Sequence, residues 1–191
     1  MASNAKHATA KTVAKKMPRN EATSYIFANC KGERAHTISQ IQRNPNVENT
    51  TPVTGRFDLV IKLRTNEPSK AFTTMEKIRS IPNITNTQTA LSFESIINTT
   101  KNSQIDNDSP LAFALLKVRG TFSNVLRKLK TIPNFAEAHV IPGAFDILAA
   151  FRADSPEALV EQSVERISNI SGITSSETLL SYTPPERAER F

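Results

Sequence analysis

Apolar and polar positions change period block by block along the chain, and the same succession of blocks occurs twice. Tyr25-Ile26-Phe27-Ala28 and Leu111–Val118 are apolar runs short enough to predict buried strands. Ala35, Ile38 and Ile41 follow a helical spacing, and Phe122, Val125, Leu126, Leu129 and Ile132 follow it more fully, marking one face of a helix. Pro45-Asn46 and Pro133-Asn134 stop these helices. Two more strands are predicted over 47–53 and 57–64, joined through Thr54-Gly55-Arg56. They recur over 135–141 and 145–152, joined through Pro142-Gly143-Ala144. A second helix opens at Asn66 or Asp154, both good caps, with Pro68 and Pro156 in its first turn. Phe72, Met75 and Ile78 line it in the first block; Val160, Val164 and Ile167 do so in the second. Residues 85–93 and 174–182 supply a final strand.

The correspondence extends to individual residues. A shift of 88 pairs Gly32 with Gly120, Pro45-Asn46 with Pro133-Asn134, Gly55-Arg56-Phe57-Asp58 with Gly143-Ala144-Phe145-Asp146, and Arg64 with Arg152. A shift of 89 pairs Ile81, Ile84, Thr85, Thr89, Leu91 and Ser92 with Ile170, Ile173, Thr174, Thr178, Leu180 and Ser181. The fold class is therefore α+β: two tandem ferredoxin-like βαββαβ units with antiparallel sheets. The units span 23–93 and 111–183, between a basic flexible tail (1–22), a polar linker (94–110) and a short C-terminal tail (184–191). Both helices of a unit pack on one face of its sheet, so the bare faces are expected to stack sheet against sheet. The second sheet is expected to be the more buried. Its strand 145–151 is apolar on both faces, whereas the first copy places Lys62 among apolar residues.

Composition narrows the function classes. Cys30 is the only cysteine and there are three histidines, His7, His36 and His139, so a thiolate or histidine-rich metal centre is not expected. The apolar runs are too short for a membrane span and the N-terminus lacks a signal core, giving the expectation of a soluble, cytoplasmic protein without membrane contact. The net charge of +6 is unevenly spread. Lys6, Lys11, Lys15, Lys16 and Arg19 stand in the first 20 residues without an acid, while the body is nearly neutral. The tail reads as solvated, with weak non-specific DNA contact as its functional alternative; no aromatic is interleaved to stack on bases.

Each half thus reads strand, Lys/Arg-Gly, helix, Pro-Asn-apolar, strand, x-Gly-x-Phe-Asp, strand, helix, then Ile-x-x-Ile-Thr-x-x-x-Thr. This succession resembles the effector-binding domain of the Lrp/AsnC (feast/famine) family, present twice and covering about three quarters of the chain. The family's Gly-x-Tyr-Asp hairpin matches Gly55-Arg56-Phe57-Asp58 and Gly143-Ala144-Phe145-Asp146. Its Pro-Gly-Val turn matches Pro82-Asn83-Ile84 and Ser171-Gly172-Ile173. The helix-turn-helix of the family's transcription factors is not matched; residues 1–22 lack the required apolar periodicity.

The resemblance implies a stand-alone sensor of an amino acid or similar metabolite, coupled to homo-oligomerisation or to Lrp/AsnC-type partner regulators. Carried over by position, the effector site comprises Gly55, Asp58, Thr87 and Thr89, with Gly143, Asp146, Ser176 and Thr178 in the second copy. A carboxylate such as Asp58 suits an ammonium, and strand hydroxyls suit a carboxylate. The structural alternative is that the glycines serve positive φ, the aspartates the turn and the threonines strand packing. Haem- or tetrapyrrole-handling enzymes on paired ferredoxin-like units, and a purely structural adaptor, are the rival readings. His36 is replaced by Asn124 in the second copy, and His139 by Thr51 in the first. Cys30 matches Val118, a core position. The expectation is therefore no catalytic residue, no metal, no cofactor and no enzyme.

Overall fold

A computed structural model describes residues 22–98 and 109–183. The first unit consists of β1 (Ala22–Cys30), α1 (Arg34–Gln42), β2 (Val47–Thr54), β3 (Leu59–Thr65), α2 (Pro68–Arg79) and β4 (Ile84–Leu91). After Ser92 and Phe93 comes a short strand, β5 (Glu94–Ile97). The second unit runs β6 (Leu111–Val118), α3 (Phe122–Leu129), β7 (Phe135–Val140), β8 (Ile147–Arg152), then a broken helix and β9 (Ile173–Ser181). That helix passes from α4 (Pro156–Leu159) through a π turn (Val160–Val164) into α5 (Glu165–Ile167). The five bases of the basic stretch, Lys6 to Arg19, lie outside the described residues.

The strands form one antiparallel sheet in the order β4-β1-β3-β2-β9-β6-β8-β7-β5. Because β4 and β5 are separated by two residues, the two ends of this order are consecutive in the chain. Two crossings join the units. β2 meets β9 through Val53↔Ser181 and Thr54↔Leu180, and β5 meets β7 from Glu94↔Val140 to Ile97↔Glu137. The duplication relates them: Tyr182 N–H donates to Pro52 C=O (3.2 Å) where Phe93 N–H donates to Val140 C=O (3.0 Å).

Strand alternation sends neighbouring side chains to different cores. Ile26, Ala28, Leu59, Ile61 and Leu63 pack with Ile41 and Ile78 of the first unit's helices. Ala112, Ala114 and Leu116 pack with Val125, Leu126, Leu129, Leu159 and Ile167 of the second. Between the sheets lies a third core, with Tyr25, Phe27, Phe57 and Val60 against Phe113, Leu115, Phe145, Leu148 and Leu179. The two bare faces therefore cover one another within a single chain.

Several local expectations are corrected. Glu94–Ile97, assigned to the linker, is a strand that extends β4 onto the other unit. Glu67 and Ser155, not Asn66 and Asp154, precede the second helices; only Ser155 caps with its side chain, accepting from Ala158 N–H. Phe72 is exposed, because α2 buries Ala71, Thr74 and Ile78 and Phe72 lies one residue, about 100°, off that stripe. In the second copy the extra residue of the π turn rotates the buried stripe to Leu159, Ser163 and Ile167. Lys62 is largely buried, but β8 is the more uniformly buried strand, as expected.

The hairpin glycines differ in surroundings. Gly55 has φ +120°, and a Cβ there would stand 2.9 Å from Leu179 Cδ2 of the other unit. Gly143 has φ +155°, with nothing nearer than 3.9 Å. Gly55→Ala is therefore expected to cost about 1–3 kcal/mol in urea unfolding, from strain plus overpacking, and Gly143→Ala distinctly less.

Candidate functional site

The sequence-predicted residues split between the two faces of the sheet. Asp58 Oδ2 accepts from Cys30 N–H (2.9 Å), and Asp146 Oδ2 accepts from Val118 N–H (2.9 Å), so both carboxylates bind the end of the neighbouring strand identically. Each also holds a cation: Arg34 Nη2 reaches Asp58 Oδ1 at 2.6 Å, and Lys117 Nζ reaches Asp146 Oδ1 at 3.3 Å. Arg34 in addition donates to Tyr182 Oη at 2.7 Å. A shallow depression is lined by Arg34, Val53, Thr54, Gly55, Asp58 and Tyr182. Thr87 and Thr89 lie opposite Ala28 and Ile26 on β1, and Ser176 and Thr178 opposite Leu116 and Ala114 on β6. They share the helix-covered face, and two strand spacings, roughly 10 Å, separate Thr87 from Asp58. What the structure brings to Gly55 is instead β9 of the other unit, at Thr178 and Leu179.

A cavity lies elsewhere, between the sheets. It measures about 190 Å³ and is lined by both copies: Tyr25, Glu48, Asn49, Thr51, Val60 and Lys62 from the first; Leu111, Phe113, Ala136, Glu137, Ala150 and Arg152 from the second. Tyr25 and Phe113, Glu48 and Ala136, Asn49 and Glu137, Lys62 and Ala150 are repeat-equivalent pairs, so the cavity sits about the internal pseudo-twofold. Every such pair has diverged, and the polar member comes from the first copy in three and from both in one. A homodimer of one unit could not build this lining.

Lys62 points inward because it is the cross-strand neighbour of Tyr25, with the same parity as Phe27 and Val60. Its ammonium donates to both oxygens of Glu137, at 2.9 and 2.8 Å, across the sheet interface. Tyr25 Oη donates to Glu137 Oε1 at 3.0 Å. Lys62 also lies 3.7 Å from Glu48, which takes a bidentate bond from Arg64 at 2.9 Å on each arm. Burial would raise the Glu137 carboxyl, but the contact with His139 and the Lys62 charge outweigh it and hold the group well below the usual carboxylate range. Burial and the Glu137 charge together push the Tyr25 phenol well above its ordinary value. At neutral pH Glu137 is thus a carboxylate and Tyr25 a neutral phenol.

His139 borders the cluster. It is 1% exposed, its ring stands edge-on to Tyr25 at 5.0 Å, and Nδ1 bonds Ser92 Oγ at 3.0 Å. Nε2 is 3.4 Å from Glu137 Oε2 without a hydrogen-bond partner. Cys30 is half-buried at the Asp58 end, where burial and then Asp58 push its thiol up, away from nucleophilic use.

Sequence reasoning missed Tyr25, Glu48, Asn49, Glu137 and Lys62 as site residues. A signal was present: Lys62 and Glu137 are charges at inward parity in otherwise apolar strands. Their pairing is between copies, which neither repeat shows alone.

The model of the Lrp/AsnC ligand-binding domain matches the chain twice, over residues 26–102 and 111–189. No curated protein matches it in sequence. Among solved structures, it is similar to the siroheme decarboxylase NirDL, with a TM-score of 0.61 and 11% identity over 85% of this chain and 72% of that one. It is likewise similar to the chlorite dismutase-like TA0507, with a TM-score of 0.55 and 9% identity over 84% and 93% of the two chains. An anthrone oxidase-like protein gives 0.50 and 10% identity over 86% and 91%. These likenesses show the fold, and they overturn the expectation that the chain is no enzyme, since paired units of this kind carry enzymes. No helix among the described residues is long and apolar enough to cross a membrane. With the family domain matched twice and both copies folded as expected, the chain belongs to the Lrp/AsnC ligand-binding-domain family.

Proposed function

We propose that this protein is a small-metabolite sensor in which one chain supplies both halves of the binding frame, and that its ligand, an amino acid or similar zwitterion, binds between the sheets. The observation that carries this reading is the inter-sheet cavity, which presents Glu48 and Glu137 beside Lys62 and Arg152. Charges of both signs within one cavity suit an ammonium and a carboxylate on the same molecule. A volume of about 190 Å³ suits a small metabolite, being below the ~300–1,000 Å³ of pockets for drug-sized ligands. Of the hairpin aspartates, Asp58 lines only a shallow depression at one end of the sheet. In keeping with the family resemblance, ligand binding is coupled to assembly with further copies or with partner regulators; contact of Lys6 to Arg19 with DNA is a secondary proposal.

Thermal shift across the twenty amino acids tests this. A ligand at 100 times its Kd adds about 2.7 kcal/mol of stability. For the amino acid that responds, Glu48→Gln is expected to weaken binding by about 1.5–3 kcal/mol and Asp58→Asn to leave it unchanged. The reverse pattern places the ligand at the hairpin, and no response to any amino acid removes this ligand class.

A second reading, catalysis in the same cavity, is favoured by His139, a buried imidazole whose Nε2 faces Glu137 without a partner. The site does not fit an iron tetrapyrrole, because the cavity is too small for the macrocycle. Titration with an iron tetrapyrrole followed by absorption is therefore expected to give no saturable band. A band lost in His139→Ala would move the assignment to tetrapyrrole chemistry.

A further inference from the structure

We propose that the free edge of β4 pairs, antiparallel and about a twofold axis, with the same edge of a second copy of this chain. The pairing needs no ligand, so it stands or falls apart from the cavity reading. Ser92 N–H donates to Thr23 C=O at 3.0 Å, which sets the phase of the ladder between β1 and β4. Counting back in twos along the register, Tyr25 with Ala90 and Phe27 with Gln88 are the bonded pairs. Leu91, Thr89 and Thr87 therefore turn their N–H and C=O groups away from β1. Among the described residues no strand pairs with this side of β4. The duplication supplies the comparison, because the equivalents on β9 are Leu180, Thr178 and Ser176. There Thr54 pairs with Leu180 and its hydroxyl donates to Leu180 C=O at 3.3 Å, while Gly55 lies against Leu179 and Thr178 C=O. Beside β4, Pro142 stands in the place of Thr54, with neither N–H nor hydroxyl to give. A Cβ on Gly143 would meet no atom of β4 within 4 Å.

Strand edges left open to water are ordinarily guarded by a charge or a proline. β2 carries Glu48 and Pro52, and β9 carries Glu177. β4 reads Ile-Thr-Asn-Thr-Gln-Thr-Ala-Leu and has neither; Gln88 stands at the position of Glu177. The large hydrophobics exposed among the described residues are Phe72, Leu91 and Phe93. Leu91 ends β4, Phe93 follows two residues later, and Phe72 is on α2, which packs against β4. Leu180 and Tyr182, the equivalents of Leu91 and Phe93, are half-buried, one against the second unit's core and the other under Arg34. A second copy is the occupant because the strand is complementary to itself. About an axis at Gln88, Thr87 meets Thr89 of the other copy and Thr89 meets its Thr87, each pair exchanging both backbone bonds. Cross-strand threonine pairs are favourable, and no like charges are brought together. Such a contact uses one patch on both chains and closes as a dimer.

Sedimentation equilibrium of the full chain, with hydrogen exchange, tests the pairing. A concentration-dependent dimer is expected, in which the Thr87 and Thr89 amides exchange at least about tenfold more slowly than in dilute monomer. Thr89→Pro removes an N–H that β1 does not use, so the variant is expected to keep the parent's circular dichroism and to be monomeric. Should that variant fail to fold, Gln88→Glu decides. It introduces the side chain that β9 already carries at the equivalent position, and it sets two carboxylates opposite each other on the axis. It is expected to weaken the dimer several-fold at neutral pH and less in acid. A monomer at every concentration, or a dimer unchanged by Gln88→Glu or by a folded Thr89→Pro, would overturn the proposal. So would slow exchange at Thr87 and Thr89 in the dilute monomer, which would show that the chain's own residues lie on the edge.

Discussion

Replacing Leu148 by Asp is expected to abolish cooperative folding at 25 °C. Leu148 is fully buried in the core between the sheets and lies opposite His139 on β7. Truncation alone, as in Leu148→Ala, is expected to cost about 2–5 kcal/mol through lost burial and the cavity left behind. A carboxylate adds several kcal/mol more, the usual cost of placing a charge in an apolar core. Against a total stability of roughly 5–15 kcal/mol, that sum leaves no native state. Urea unfolding followed by circular dichroism checks it, and a cooperative transition within about 1 kcal/mol of the parent would show that the sheets do not depend on each other.

Lys62→Met is expected to cost about 3–5 kcal/mol, the usual consequence of leaving a buried carboxylate without its cation. Lys62 and Glu137 are both largely buried, so solvent screening offers little relief. The double variant Lys62→Met, Glu137→Gln should recover much of the loss, because neither charge then remains; a double-mutant cycle in urea measures the coupling. The pH dependence follows from the depressed Glu137 carboxyl. A carboxyl lowered on folding stabilises fully above its unfolded value near 4.3 and loses that contribution as pH falls toward the folded value. The parent should therefore weaken on acidification below about pH 4–5, and Glu137→Gln should flatten that part of the profile. Identical profiles would remove Glu137 from the network.

Much of the fold was legible because the duplication tests itself. Proline-asparagine stops, the Gly-x-Phe-Asp hairpins and the heptad-like stripe of α3 agree across copies, and all became the expected elements. What was not legible lies where the copies differ or where tertiary context decides. Phe72 looks like a core residue until the phase of α2 is fixed by Ala71, Thr74 and Ile78. The strand Glu94–Ile97 reads as linker because its polar residues have no alternation of their own; its pairing partner, β7, comes 40 residues later. The candidate site was harder still. Asp58 and Asp146 recur, which made them conspicuous, yet recurrence here marks a shared structural bond to β1 and β6. Tyr25, Glu48, Lys62 and Glu137 do not recur as a set in either half, and only the stacking of one sheet on the other brings Glu137 within 4 Å of Tyr25 and Lys62.

The most direct measurement of the central claim, that the ligand sits between the two units, is a ¹⁵N-resolved NMR titration of the full chain with the amino acid that raises its melting temperature. The account predicts amide shifts clustered at Tyr25, Asn49, Thr51, Glu137 and Ala150, on strands of both units around one cavity. Shifts confined to Gly55, Asp58 and their repeat equivalents Gly143 and Asp146, with the inter-sheet strands unmoved, would contradict it.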